Sequence, residues 1–272
     1  MTFGAARVID WWALCALGLP MAVAAQCTRT FEVPISSIGI SVIVDGDKVS
    51  GIYPELLHTI TAKTGCQFKL AVVPRARLEA MFENGKADLL MPVTSTARRD
   101  RFGVFVPMID TRATLISIDS KRAPVANLDA LLARRELRVA VVRGNDYGDV
   151  YQSLVKQLAA QGRLFMEVDP LTVARLLRDG VADVTIMTPL SFAGAIKDDA
   201  RVKDMIDKLR VEPLPELPWH ESGVYVSRSS VSAAERAMLI EMLRSAYKAN
   251  EVWETFKRTY PERLITPSAR PR

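Results

Sequence analysis

Three arginines follow a run of hydroxyls in Thr94-Ser95-Thr96-Ala97-Arg98-Arg99-Asp100-Arg101, the stretch of this 272-residue chain best equipped to hold a small anion. Thr94, Ser95 and Thr96 can each cap a helix start through a side-chain oxygen. A helix start offers free N–H groups and a positive dipole end, and a nearby guanidinium fork adds parallel donors to a carboxylate. The same arginines on a short exposed helix would be an ordinary solvated face. Spacing alone selects none of Arg98, Arg99 and Arg101. The chain has two histidines, His58 and His220, and no paired carboxylates stand out. No catalytic set, metal-ligating set or cofactor is expected.

Apolar patterning shows what must position these residues. RARLEAMFEN reads as a helix ending at Gly85, because only a residue without Cβ enters the left-handed region cheaply. Asp88 to Val93 is a short apolar run bounded by turn signals, the pattern of a strand buried on both faces. Upstream, TFEVPI and ISVIVD read as strands. Pro54 sits in the first turn of a helix that stops at Gly65, and Cys66 to Val73 is a further strand. Strands alternating with helices imply a parallel α/β sheet, whose ligands sit beyond the carboxyl ends of the strands, where Thr94 to Arg99 falls.

Thr96, Arg99, Phe105 and Pro107 together resemble the threonine–arginine, phenylalanine–proline signature of the family 3 bacterial extracellular solute-binding proteins, the polar amino-acid-binding type. The resemblance implies a type II periplasmic binding protein fold: two α/β lobes with parallel-rich sheets joined by a two-strand hinge. It selects Arg99, three residues after Thr96 and six before Phe105. By the same resemblance Thr96 and Arg99, with Thr94 beside them, hold a ligand carboxylate. It also draws in Arg77 near the start of the preceding helix, although Arg75 and Arg77 read equally as a solvated helix start. In the second half, Gly144 matches the glycine of the family's backbone pocket. Asn145 and Asp146 stand where its hydroxyls usually are, and both are also ordinary helix caps.

The family's aspartate for an α-ammonium falls at Thr188, five residues after Asp183, and a neutral hydroxyl cannot supply that ion pair. Ser36, Ser37 and Ile38 replace the usual aromatic platform, leaving Tyr53 and Trp219 as candidate aromatic walls. The resemblance therefore implies a small polar, carboxylate-bearing solute, an amino acid or organic acid, with the ammonium contact missing. A partial internal echo, helix-Gly-x-x-Asp-strand-Met, relates Gly85–Met91 to Gly180–Met187. Asp88 and Asp183 read as structural, each pinning the start of a strand.

Residues 1–25 look like a cleaved secretory signal. Lobe 1 is expected to span 26–118 plus 222–272 and lobe 2 to span 119–221, with 120–124 as a linker. Strands at 113–118 and 222–227 form the hinge, and the helices at 232–249 and 251–260 pack back on lobe 1. The tail SARPR is expected to fray. Cys27 and Cys66 each precede a strand of one strand-helix-strand unit, which makes a disulfide plausible in an oxidising compartment, the alternative being two free thiols.

Half the residues are apolar and a quarter charged, a globular composition. The net charge of +5 is spread along the chain without an aromatic-interleaved basic block, so nucleic acid is not an expected partner. The family resemblance implies a periplasmic monomer that captures a small molecule for a membrane ABC permease, or for a sensor protein without a transport role. A dehydratase on the same fold would need a carboxyl group or histidine in the cleft.

Overall fold

Asp88 and Asp183 begin the central strand of each half in the same way. In the computed structural model, which describes residues 1–2, 27–119 and 121–272, Asp88 accepts from the Glu32 N–H at 2.8 Å and from both Nη atoms of Arg29 at 2.7 and 3.0 Å. Asp183 accepts from the Arg138 N–H at 2.8 Å and its Nε at 2.9 Å. Each carboxylate satisfies the backbone of the neighbouring strand and adds a charged fork, so the echo is a repeated structural device. The glycines before them, Gly85 at φ 66° and Gly180 at φ 65°, end the preceding helices in the left-handed region. The signal segment expected at 1–25 lies, its first two residues apart, outside the described residues. Among the described residues no helix is long and apolar enough to cross a membrane.

The first half runs β1 (Phe31–Ile35), a hairpin of β2 (Ile43–Asp45) and β3 (Lys48–Ser50), α1 (Ile52–Thr64), β4 (Phe68–Val72), α2 (Arg75–Glu83), β5 (Leu89–Thr94), α3 (Ala97–Asp100) and β6 (Gly103–Thr111). The second runs β7 (Thr114–Ile118), α4 (Leu128–Ala133), β8 (Val139–Val142), α5 (Asp149–Ala160), β9 (Leu164–Glu167), α6 (Pro170–Arg178), β10 (Val184–Met187), α7 (Pro189–Ile196), a 3-10 turn at Lys203–Lys208 and β11 (Leu209–Glu212). The chain returns through β12 (His220–Ser227), α8 (Ala233–Ala246), α9 (Ala249–Thr259), α10 (Glu262–Ile265) and β13 (Ala269–Arg270).

Two sheets result. In lobe 1, β1 pairs with β4 in parallel, and the Asp88 N–H donates to the Glu32 carbonyl at 2.8 Å, linking β1 to the four-stranded order β13-β6-β12-β5. The pairing of β12 shifts register between Gly223 and Tyr225, opposite Pro92, which has no N–H to give. Lobe 2 has the order β11-β7-β10-β8-β9, with β8 parallel to both neighbours. Apolar side chains fill each lobe separately: Phe31, Val33, Leu57, Leu89 and Leu239 in the first, Leu115, Val139, Leu154, Ile186 and Phe192 in the second.

The crossing between lobes lies earlier than residue 118. β6 belongs to the first sheet and β7 pairs with β10 and β11 in the second, so the chain changes lobe at Arg112 and Ala113. It returns through 213–219, and His220 pairs with Thr111, which sets the two crossings side by side. The supposed linker is tied down as well: Arg122 pairs with Glu212, and the Val125 N–H donates to the same carboxylate at 2.9 Å.

The C-terminal helices divide between the lobes. Leu239 and Leu243 of α8 join the lobe 1 core as expected, but Phe256, Tyr260, Leu264 and Ile265 pack with Leu190, Phe192 and Ile196 in lobe 2. The tail is not frayed: β13 pairs with β6, the Ser268 carbonyl accepts from the Arg112 N–H at 2.8 Å, and Arg270 meets Asp110 at 3.0 Å. Trp219, a candidate ligand wall from the sequence, instead lies between the guanidiniums of Arg112 and Arg270, 4.9 and 4.6 Å from its ring centre.

Cys27 and Cys66 form a disulfide with their Cα atoms 5.2 Å apart. Replacing both by serine is expected to lower the urea-unfolding free energy by about 4 kcal/mol, the chain-entropy value for a closed loop with the sequence separation of 39 found here.

Candidate functional site

A cavity of about 570 Å³ lies between the two lobes, within the range of small-ligand sites. Lobe 1 contributes Ser36, Ser37, Ile38, Ser41, Tyr53, Arg75, Pro92, Val93, Thr94 and Ser222 to its wall. Lobe 2 contributes Val142, Asn145, Asp146, Tyr147, Thr188, Leu190 and Ser191, and the C-terminal helices add Val252, Phe256 and Tyr260. The serines that replace an aromatic platform thus face the cavity, as does Tyr53.

The lobes touch at both sides of this space. The Ile40 N–H in lobe 1 donates to the Tyr260 hydroxyl at 3.1 Å. Beside it Gly39 meets Gly194 of α7 so closely that a Cβ on Gly194 would overlap the Gly39 Cα. On the other side Gly144, at φ 87°, abuts the start of α2, where a Cβ would come 2.9 Å from the Ala76 Cα. Gly144 therefore sets the approach of the lobes and does not line the cavity.

The arginines sit differently from the arrangement that the sequence resemblance implies. Thr96 does cap α3, accepting from the Arg99 N–H at 3.3 Å, but α3 is a single turn, Ala97–Asp100. Arg99 is 1% exposed and absent from the cavity wall. Its Nε and Nη2 donate to the two oxygens of Glu79 at 3.1 and 2.8 Å, and its Nη1 donates to the Thr94 carbonyl at 2.7 Å and the Asp146 carbonyl at 3.4 Å. The fork that a ligand carboxylate would need is filled by an internal carboxylate, and the last contact ties lobe 1 to lobe 2. Thr96 and Arg77 do not line the cavity either, and Arg77 is exposed.

Arg75 is the lysine or arginine that does line it. On α2 it shares a face with Leu78, Glu79 and Phe82, all buried, whereas Arg77 points the other way. Its Nη2 lies 3.0 Å from the Glu79 Oε1, and its Nη1 donates to the Pro92 carbonyl at 3.1 Å. Its Nε has no acceptor among the described residues. Burial favours a neutral Glu79, but Arg99 and Arg75 outweigh it and hold the carboxyl below its usual range. Arg75, by contrast, is pushed down by burial and by the like charge of Arg99, which Glu79 only partly offsets.

Of the other residues singled out in the sequence, Thr94, Asn145, Asp146 and Thr188 line the cavity. Asp146 accepts from the Gly148 N–H at 3.0 Å, and its second oxygen lies 3.7 Å from Arg98. Thr188 caps α7 and shares a 2.6 Å hydrogen bond with the Ser191 hydroxyl. Asn145 donates to the Tyr147 hydroxyl at 3.3 Å. Burial raises the Tyr147 hydroxyl to about 12, so it stays a neutral donor and acceptor. No cluster of histidine, cysteine or carboxylate side chains able to hold a metal occurs among the described residues.

No protein-family model and no curated protein matches the chain. Solved structures do. One is a histidine kinase sensor domain with similarity to periplasmic binding proteins, 19% identical over 86% of this chain and 96% of that one, TM-score 0.66. Another is the amino acid ABC transporter substrate-binding protein AbpA from Streptococcus pneumoniae bound to L-arginine, 18% identical over 86% and 97%, TM-score 0.65. A third is the holo form of ArgBP from T. maritima, 18% identical over 84% and 95%, TM-score 0.64. The chain has the fold of the type II periplasmic binding proteins.

Two outcomes follow from the geometry. Arg99→Ala removes buried hydrogen bonds to Glu79, Thr94 and Asp146 and leaves a cavity, and is expected to cost about 2–5 kcal/mol of stability, read by urea denaturation. His220 is pushed below its ordinary value by burial, against the opposing pull of the Tyr147 carbonyl and the Asp146 charge. The unfolded chain therefore binds this proton more readily, so stability falls as the pH drops below about 6.5, and His220→Gln should flatten that slope.

Proposed function

We propose that the chain captures a small polar solute reversibly between its lobes, without covalent chemistry. The cavity carries this reading: its wall is assembled from both lobes, so an occupant gains its full set of contacts only when the lobes are together. The two adjacent crossings at 112–113 and 213–219 supply a pivot for that motion. Thr94, Asn145, Asp146 and Thr188 are the proposed contacts among the residues singled out in the sequence, and Ser36, Ser37 and Ser191 join them.

The proposed setting is the periplasm, after removal of the N-terminal segment, with the chain acting as a monomer. Delivery to a membrane ABC permease is the first role, and presentation to a sensor protein the second. The structural neighbours support both, since one is named as a transporter component and another as a sensor domain.

Thermal denaturation against a panel of amino acids, organic acids, sugars and neutral amides tests the capture role. At least one member should raise Tm with saturable dose dependence, and Ser37→Trp, which places a large ring at an exposed position of the cavity wall, should abolish the rise. A panel without effect, or a response that Ser37→Trp leaves intact, would overturn solute capture at this site.

A further inference from the structure

We propose that Glu79 determines the ligand class: by holding Arg75 and Arg99 it closes the anion seat, so that the cavity takes an uncharged solute with hydrogen-bonding groups on an apolar frame and rejects carboxylates. The proposal rests on the capture role and deepens it.

Charge balance around the cavity is the first reason. Among the described residues Arg75 is the one lysine or arginine on the wall, and the acidic side chains beside it there are Asp146 and Asp169. Glu79, 3% exposed, faces both Arg75 and Arg99. Arg98 donates to Glu83 through its Nε at 2.8 Å and approaches Asp146. Arg75, Arg98 and Arg99 are thus matched by Glu79, Glu83 and Asp146. A ligand carboxylate entering this space would lose its hydration, meet Arg75 with both Nη atoms already held by Glu79 and the Pro92 carbonyl, and lie near Asp146.

Apart from Asp169, which accepts from the Thr172 N–H at 2.7 Å, what remains on the wall is neutral. Hydroxyls at Ser36, Ser41, Thr111, Ser191 and Ser222 and the Asn145 amide offer donors and acceptors without charge. The buried Arg75 Nε–H, which lacks an acceptor among the described residues, suits a neutral carbonyl or hydroxyl oxygen. Ile38, Val93, Ile109 and Leu190 supply apolar surface between these groups. Thr188 stands where an aspartate would be needed for an ammonium, so the wall favours neither end of a zwitterion.

The test compares matched acids and amides, benzoate with benzamide and succinate with succinamide, together with L-arginine and L-glutamate. Wild type should show no change in Tm with any of the carboxylates. Glu79→Gln leaves Arg75 on the wall without its counter-charge and should gain a Tm rise of about 3 °C with benzoate or succinate at saturation, and none with the amides beyond that of wild type. The double variant Glu79→Gln/Arg99→Gln removes one charge of each sign and leaves Arg75 as the free cation, so it answers the same question if the single variant fails to fold.

A wild-type response to any of these carboxylates that Ser37→Trp removes would overturn the proposal while leaving capture intact. So would folded variants that remain as silent to carboxylates as wild type. If neither variant folds by circular dichroism, the wild-type arm decides: silence to carboxylates with a response to a neutral panel member supports the proposal. Silence to every solute removes the capture role itself.

Discussion

Glu79 is enclosed between the guanidiniums of Arg75 and Arg99, and this buried trio joins parts of the fold that the sequence keeps apart. Arg75 and Glu79 come from α2, Arg99 from α3, and Arg99 also holds the Thr94 carbonyl at the end of β5 and the Asp146 carbonyl of the second lobe. Removing Glu79 leaves two like charges facing each other in a dry place, whereas removing either arginine leaves the other still paired with it. The trio therefore serves as a rivet between the central strand of lobe 1 and the loop of lobe 2 that faces it.

That arrangement separates fold from ligand chemistry. The chain shares its architecture with proteins solved as binders of L-arginine and with a kinase sensor domain, yet Thr96 and Arg99, where the resemblance implies a carboxylate seat, are turned inward, and a hydroxyl stands at Thr188. An architecture of two hinged lobes asks only for a shared cavity and a pivot. The chemistry of an occupant depends on the handful of side chains that face it and not on the fold.

Local features of the fold were legible in the sequence because they depend on near neighbours. Gly65 and Gly85 end helices and Thr96 begins one, each through contacts within a turn, while Asp88 and Asp183 pin strands through partners 56 and 45 residues away that the repeated Gly-x-x-Asp pattern announced. The Cys27–Cys66 bond followed from the adjacency of β1 and β4. What escaped needed long-range knowledge. The apolar stripe of α9 announces that it packs, not that its partner is lobe 2. The run from Phe105 to Ile118 reads as almost continuous strand, so the change of lobe at Arg112 leaves little trace. Arg99 and Glu79 are separated by 20 residues, and charge alone does not say which of several carboxylates an arginine will find. Helical periodicity did carry one usable signal: it places Arg75 and Glu79 on the same side as Leu78 and Phe82, and Arg77 on the opposite side.

Gly39 and Gly194 meet at the flank of the cleft with no side chain between them. The depth to which the jaws can shut is thus limited there by hydrogen atoms alone, and a single methyl group would act as a doorstop. In the solute capture proposed above, its effect would reach the occupant without touching it: the shut arrangement would become rarer, and more solute would be needed to hold it, although every group in the pocket stayed the same.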